Sequence, residues 1–95
     1  MVTAWVSNPT PPQYSTVTVY GKITLGVVGI ANVPMHAVWN YKTTTPTCDG
    51  VSGADGVASC GRYIGAATKG YRVDIDVQFT YEGQQYSAII GFTPQ

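Results

Sequence analysis

The strongest pattern in the chain is the alternation from Gly70 to Tyr81. Tyr71, Val73, Ile75, Val77, Phe79 and Tyr81 fall on one parity, and Arg72, Asp74, Asp76, Gln78 and Thr80 on the other. Successive side chains of a strand point to opposite faces, so this spacing predicts a strand with one buried and one wet face. A helix would scatter the charges around its circumference. Ser15 to Leu25 repeats the pattern, with Val17, Val19, Ile23 and Leu25 against Thr16, Thr18, Lys22 and Thr24. Gly21 falls on the buried parity, where a bulge or a close contact between sheets favours a missing side chain. Met35 to Lys42 sets Met35, Ala37, Trp39 and Tyr41 against His36, Asn40 and Lys42, with Val38 as the apolar exception. Gln85 to Thr93 sets Tyr86, Ala88, Ile90 and Phe92 against Ser87 and Thr93, blurred by Ile89.

Weaker strands are expected over Val2 to Ser7 and Val57 to Ile64. The breakers fall between these segments. Asn8-Pro9-Thr10-Pro11-Pro12 stops the first strand and is expected to carry it from one sheet to the other. Gly26 to Pro34 holds a loop with room for a short strand, and Pro46 ends the Trp39 strand. Glu82-Gly83-Gln84 predicts a short hairpin, with Gly83 supplying positive φ. Only Gly65 to Lys69 has the character of a helical turn. Short strands at regular spacing with no helices between them indicate an all-β, antiparallel sandwich of six to seven strands, formed as a single domain over residues 1–95.

Composition agrees with that architecture and narrows the partners. Thr, Gly, Val and Tyr are abundant, as in β proteins. The 95 residues carry five Lys/Arg and five Asp/Glu. Lys22, Lys42, Arg62, Lys69 and Arg72 are spread along the chain, which argues against a nucleic-acid partner or an acidic membrane surface. No apolar run approaches the roughly 20 residues that span a bilayer, so no membrane insertion is expected. The start Met1-Val2-Thr3-Ala4-Trp5 lacks the basic and apolar stretches of a signal peptide. The chain is therefore expected to be a domain excised from a longer secreted or surface protein.

The order of features resembles a known family. Val17-Thr18-Val19 leads through a turn to Gly29-Ile30-Ala31-Asn32-Val33-Pro34-Met35, which is similar to the entry into the third strand of bacterial Ig-like domains of the intimin/invasin type. Gly53-Ala54-Asp55-Gly56-Val57-Ala58 resembles a turn of the same group, and also turns in carboxypeptidase-regulatory-like and transthyretin-like sandwiches. Ala67-Thr68-Lys69-Gly70-Tyr71-Arg72-Val73 resembles the strand that follows. The resemblance spans roughly residues 15 to 93. It implies an Ig-like fold and a modular, usually tandem domain, acting as stalk, spacer or adhesive tip on a bacterial secreted or cell-surface protein. Some members are accessory domains of secreted hydrolases. Related collagen-binding-type sandwiches carry a Lys–Asn isopeptide bond. Here Lys22 and Lys42 lie on the polar parity and the segment from Gln85 to Thr93 has no Asn or Asp, so such a bond is not expected.

Candidate chemistry centres on CDGVSGADGVASC, residues 48–60, which holds both cysteines with eleven residues between them. Structural zinc usually takes four Cys/His ligands, and His36 is the single histidine. A redox dithiol more naturally has Cys-x-x-Cys spacing. A Cys48–Cys60 disulfide fits best in an oxidising compartment. If the strands lie side by side, it contributes about 2–3 kcal/mol by loop closure. Asp49 and Asp55 fall short of the six to eight oxygens that calcium takes, and Asp55-Gly56 fits a hairpin turn. Neither metal nor cofactor is expected.

His36 has no nucleophile motif around it, and Asp74 and Asp76 sit on a solvated face, with carboxylates roughly 6–7 Å apart. The expectation is a protein that is not an enzyme. Trp39, on the buried parity, is expected to fill the core. Trp5 is opposite in parity to Val2, Ala4 and Val6. Trp5 and Tyr20, with the loop tip at Val51, Ser52 and Gly53, are candidate contacts for a protein or carbohydrate ligand. The expected partners are neighbouring domains of the same chain, with an extracellular or cell-surface location. Two function classes follow: a non-catalytic spacer or adhesion module, and a carbohydrate-binding module resting on exposed aromatics.

Overall fold

The computed structural model describes residues 1–42 and 44–95, and shows an all-β protein of two packed antiparallel sheets. The strands are β1 (Val2–Val6), β2 (Thr16–Leu25), β3 (Val28–Gly29), β4 (Pro34–Asn40), β5 (Thr47–Val51), β6 (Val57–Tyr63), β7 (Val73–Tyr81) and β8 (Gln84–Phe92). In the first sheet β2 is central, with β1 on one side, β6 on the other, and β3 folded back on its end. The second sheet runs β5-β4-β7-β8. The sheets stack so that β1 meets β8 at one flank and β5 meets β6 at the other.

The alternation of each strand explains the core. Val17, Val19 and Ile23 of β2, Met35, Ala37 and Trp39 of β4, and Val73, Ile75, Val77 and Phe79 of β7 are all buried in one cluster with Phe92. Burying each large side chain contributes roughly 1.5–3 kcal/mol. Trp39 fills the centre and meets Phe92 edge to face, at 5.8 Å between ring centroids. Gly21 is a close sheet contact and not a bulge, because its pairing with Ala4 and Ala58 is continuous. A Cβ placed there would stand 2.9 Å from Met35, Val77 and Phe79 side chains at once.

Several boundaries differ from the sequence expectation, each for a local reason. The strand expected from Gly70 begins only at Val73. Gly70 has φ of 76° and the Tyr71 amide bonds to the Thr68 carbonyl, so the chain turns and Tyr71 points out. Leu25 shares the buried parity but is exposed, because its segment runs past the opposite sheet into the β2–β3 turn. Gly65 to Lys69 forms turns without a helix. The short strand for which Gly26 to Pro34 had room is β3, and the eighth strand is β5, which alternation does not announce. Pro46 is already aligned with β4, its carbonyl accepting from the Trp39 amide. The β7–β8 hairpin turns on Glu82 and Gly83, both at positive φ, as a two-residue type I′ turn requires. The Pro-rich segment touches the second sheet without moving a strand into it: Pro9 and Pro11 carbonyls accept from the Thr93 and Gln95 amides just beyond β8, and the chain then returns to the first sheet as β2, beside β1.

Candidate functional site

Cys48 and Cys60 form a disulfide, with Cα atoms 6.1 Å apart. The two strands do not lie side by side in one sheet: Cys48 is in β5 of the second sheet and Cys60 in β6 of the first. The bond therefore joins the two sheets at one flank. The Trp39 indole N–H donates to the Cys48 sulfur at 3.2 Å, which ties the staple to the core. Between the cysteines the chain turns at Gly53–Gly56, where the Gly56 amide bonds to the Gly53 carbonyl and the Asp55 carboxylate accepts from the Val57 amide.

The loop tip divides in its roles. Val51 and Gly53 are exposed, but Ser52 is only 3% exposed. Its hydroxyl donates to the Ile30 carbonyl and accepts from the Val33 amide. Ser52 is thus removed from the contact surface, because it satisfies the backbone of the β3–β4 connection.

Trp5 and Tyr20 face outward from the first sheet and stand opposite each other in the β1–β2 register. Their rings stack 5.5 Å apart and 11° from parallel. The residues of β6 beside them are small: Ser59 pairs with Tyr20 and Gly61 with Thr18. The aromatic pair consequently rises from a low surface.

His36 acquires a partner that strand parity alone does not reveal. Its Nδ1 lies 2.6 Å from the Asp49 carboxylate, across the β4–β5 register. Both side chains are well exposed on the outer sheet face, so the pair is open to solvent. Asp74 is paired with Arg72 at 2.8 Å on the same face. Among the described residues no three His, Cys, Asp or Glu side chains gather as a metal site.

Among the described residues, the outer edge of β8 pairs with no other strand. One side of β8 pairs with β7 from Val73↔Phe92 to Tyr81↔Gln84. Backbone groups of alternate residues point to opposite sides of an antiparallel strand. Since the Thr93 and Gln95 amides turn outward to Pro9 and Pro11, those of Gln85, Ser87 and Ile89 face the same open side, whereas Gly91 on that parity is buried. The strand carries no charge and no proline, and Ile89 is 67% exposed. Those charges and prolines are the usual defences of an edge.

A concave site lies at one end of the sandwich, where the ends of β4 and β6 meet the loop leading into β7. It is a cleft of about 500 Å³. Its base includes Ile64 and Val73, and Tyr41, Tyr63 and Tyr71 stand around it. Tyr41 leans edge to face on Phe92. The loop wall is pinned: Gln13 donates to the Ala67 carbonyl, the Tyr14 amide to Gly65 and the Gly70 amide to Pro94. Lys42 and Arg62 bring two cations, and the described lining has no carboxylate.

Arg62 donates through Nη1 to the Thr47 carbonyl at 3.3 Å. Its Nε and the Tyr41 hydroxyl are buried with no hydrogen-bond partner among the described residues. Burial pushes the Tyr41 phenol above its ordinary value, and the Arg62 charge nearby draws it part of the way back. Strand periodicity could not find this site. Its lining comes from separate segments, with Tyr41 and Lys42 after β4, Arg62 and Tyr63 in β6 and Tyr71 before β7, and no local pattern links them.

No protein family, curated protein or solved structure matches this chain. No helix among the described residues is long and apolar enough to cross a membrane.

Proposed function

We propose that the chain is a non-catalytic Ig-like module of a larger secreted or cell-surface protein, acting as a spacer that also makes a protein contact. The observation that carries this reading is the open edge of β8. From Gln85 to Ile89 it offers unpaired backbone groups, an exposed isoleucine and no charge. A protein that adds a strand to such an edge gains main-chain hydrogen bonds, with alternate side chains supplying specificity. The intersheet disulfide supports an oxidising location, because it is a structural bond of the kind that persists outside the cytosol. The His36–Asp49 pair fits the non-catalytic reading: it sits on an open sheet face, where water screens its charge.

The test compares hydrogen exchange of this chain alone and within its full-length gene product. The amides of Ser87 and Ile89 are expected to exchange much more slowly in the longer protein. Equal rates in the two, or a gene product with no further domain, would overturn the reading.

The stacked Trp5–Tyr20 pair favours a second function, a carbohydrate-binding module accessory to a secreted hydrolase. Aromatic faces on an open surface suit the apolar faces of sugar rings. Calorimetric titration with neutral oligosaccharides checks it: binding should disappear in Trp5→Ala and persist in Tyr63→Ala.

A further inference from the structure

The cleft at the end of the sandwich has features that neither function above uses. Its volume, about 500 Å³, lies within the range of small-molecule sites. Aromatic rings and small aliphatic groups give it apolar walls, while Lys42 and Arg62 give it positive charge that no lining carboxylate neutralises. Two of its residues also hold unused hydrogen-bonding capacity in Tyr41 Oη and Arg62 Nε. Buried polar groups are nearly always paired, because leaving one unpaired forfeits its hydration without compensation. Two such atoms on residues that line one cleft mark a place where an incoming polar group gains more than it would elsewhere on the surface. Side-chain rotations of the kind common on binding bring them to an occupant.

The combination selects the occupant. A simple inorganic anion would use the cations and leave the tyrosine walls wet, and a neutral sugar would use the walls and leave the cations idle. A pyranose carrying a carboxylate uses both: its C–H face lies on a phenol ring, its carboxylate meets the guanidinium, and its hydroxyls meet Tyr41 and Thr68. We infer that this cleft binds an acidic sugar of the hexuronate class, with Arg62 and Lys42 receiving the carboxylate and Tyr41 a ring hydroxyl. The loop wall formed by Ala67 to Tyr71 is already held by Gln13 and Pro94, so binding requires little ordering of the chain. The inference is independent of the Trp5–Tyr20 surface, which lies on the outer face of the first sheet.

The experiment is a calorimetric titration of the protein with tri- and tetrasaccharides of galacturonate, glucuronate and mannuronate. The neutral hexose oligomers of the same length serve as controls. At least one uronate is expected to bind about tenfold or more tightly than its neutral counterpart, the range of a charge-assisted hydrogen bond. The affinity should fall as salt is raised. Arg62→Gln and the exposed Lys42→Ala should each weaken uronate binding, with Lys42→Ala keeping the wild-type melting temperature.

Tyr41→Phe gives the sharpest arm. It removes a buried unpaired hydroxyl, so the free protein should melt a few degrees higher while uronate affinity falls about fivefold. A merely structural tyrosine would not move these two readouts in opposite directions. Trp5→Ala should leave uronate affinity unchanged, which separates this site from the aromatic pair. Three results would each overturn the inference: no uronate binding at millimolar concentration, equal binding of neutral sugars and uronates to Trp5→Ala, or tighter binding of acidic peptides than of every uronate.

Discussion

Removing the disulfide tests how the two sheets are held together, and the structure gives the effect two separable parts. Cys48 and Cys60 are 12 positions apart and close a short loop across the flank between β5 and β6. Loop-closure entropy for a ring of about 13 residues amounts to about 3 kcal/mol. The second part comes from Trp39, which is fully buried and donates its indole N–H to the Cys48 sulfur. Losing that acceptor leaves a buried donor unpaired, at about 1–3 kcal/mol. Cys48→Ala/Cys60→Ala should therefore lose both parts, and Cys48→Ser/Cys60→Ser, which keeps an acceptor at position 48, mainly the first.

Against a total stability of about 5–15 kcal/mol for a domain of this size, either variant is expected to be visibly weakened. The serine pair should melt roughly 12 °C or more below the wild type. Urea unfolding followed by circular dichroism gives the free energies, with reductant-treated wild type as a third arm that should match the serine pair. A loss under about 1 kcal/mol in the serine pair would refute the loop-closure argument. Equal stability of the alanine and serine pairs would refute the role given to the Trp39–Cys48 hydrogen bond.

Gly21→Ala should destabilise by roughly 1–2 kcal/mol, since overpacking against Met35, Val77 and Phe79 outweighs the entropy gained from replacing glycine. Gly61→Ala, whose new methyl meets nothing closer than the 3.3 Å Thr18 hydroxyl, should be near neutral in the same melting assay. Ser52→Ala should cost about 1–3 kcal/mol, measured by urea unfolding, because the Val33 amide loses its side-chain acceptor. The phenol of Tyr41 is harder to ionise in the folded state than in the unfolded one. Its contribution is intact below the ordinary tyrosine value and is lost as pH rises through the higher folded one. Melting temperature should fall more steeply above about pH 10 in wild type than in Tyr41→Phe, and parallel curves would contradict the burial of that hydroxyl.

Alternation along the chain determined which residues of β2, β4 and β7 face the core, because a strand has no other way to place successive side chains. It placed Trp39 in the core and set Trp5 on the parity opposite to Val2, Ala4 and Val6, and the tertiary structure decided that Trp5 is exposed. The glycine on a buried parity marked the close approach at Gly21, and Glu82-Gly83 marked the hairpin. Parity cannot say whether a face is covered, however. Leu25 and Tyr86 share the core-side parity of their strands and remain exposed, because the opposite sheet does not reach them.

β5 was illegible for a related reason. Thr47-Cys48-Asp49-Gly50-Val51 has little intrinsic strand preference, and its form comes from the β4 edge beside it and the bond to β6. The edge of β8 and the cleft depend on topology in the same way. Whether Ile89 lies on an inner or an outer strand is decided by strand order, and Tyr41, Arg62 and Tyr71 become neighbours only when distant segments meet at one end of the sandwich. The local pattern determined the strands and their faces, and long-range packing decided which surfaces stay open and which polar groups remain without a partner.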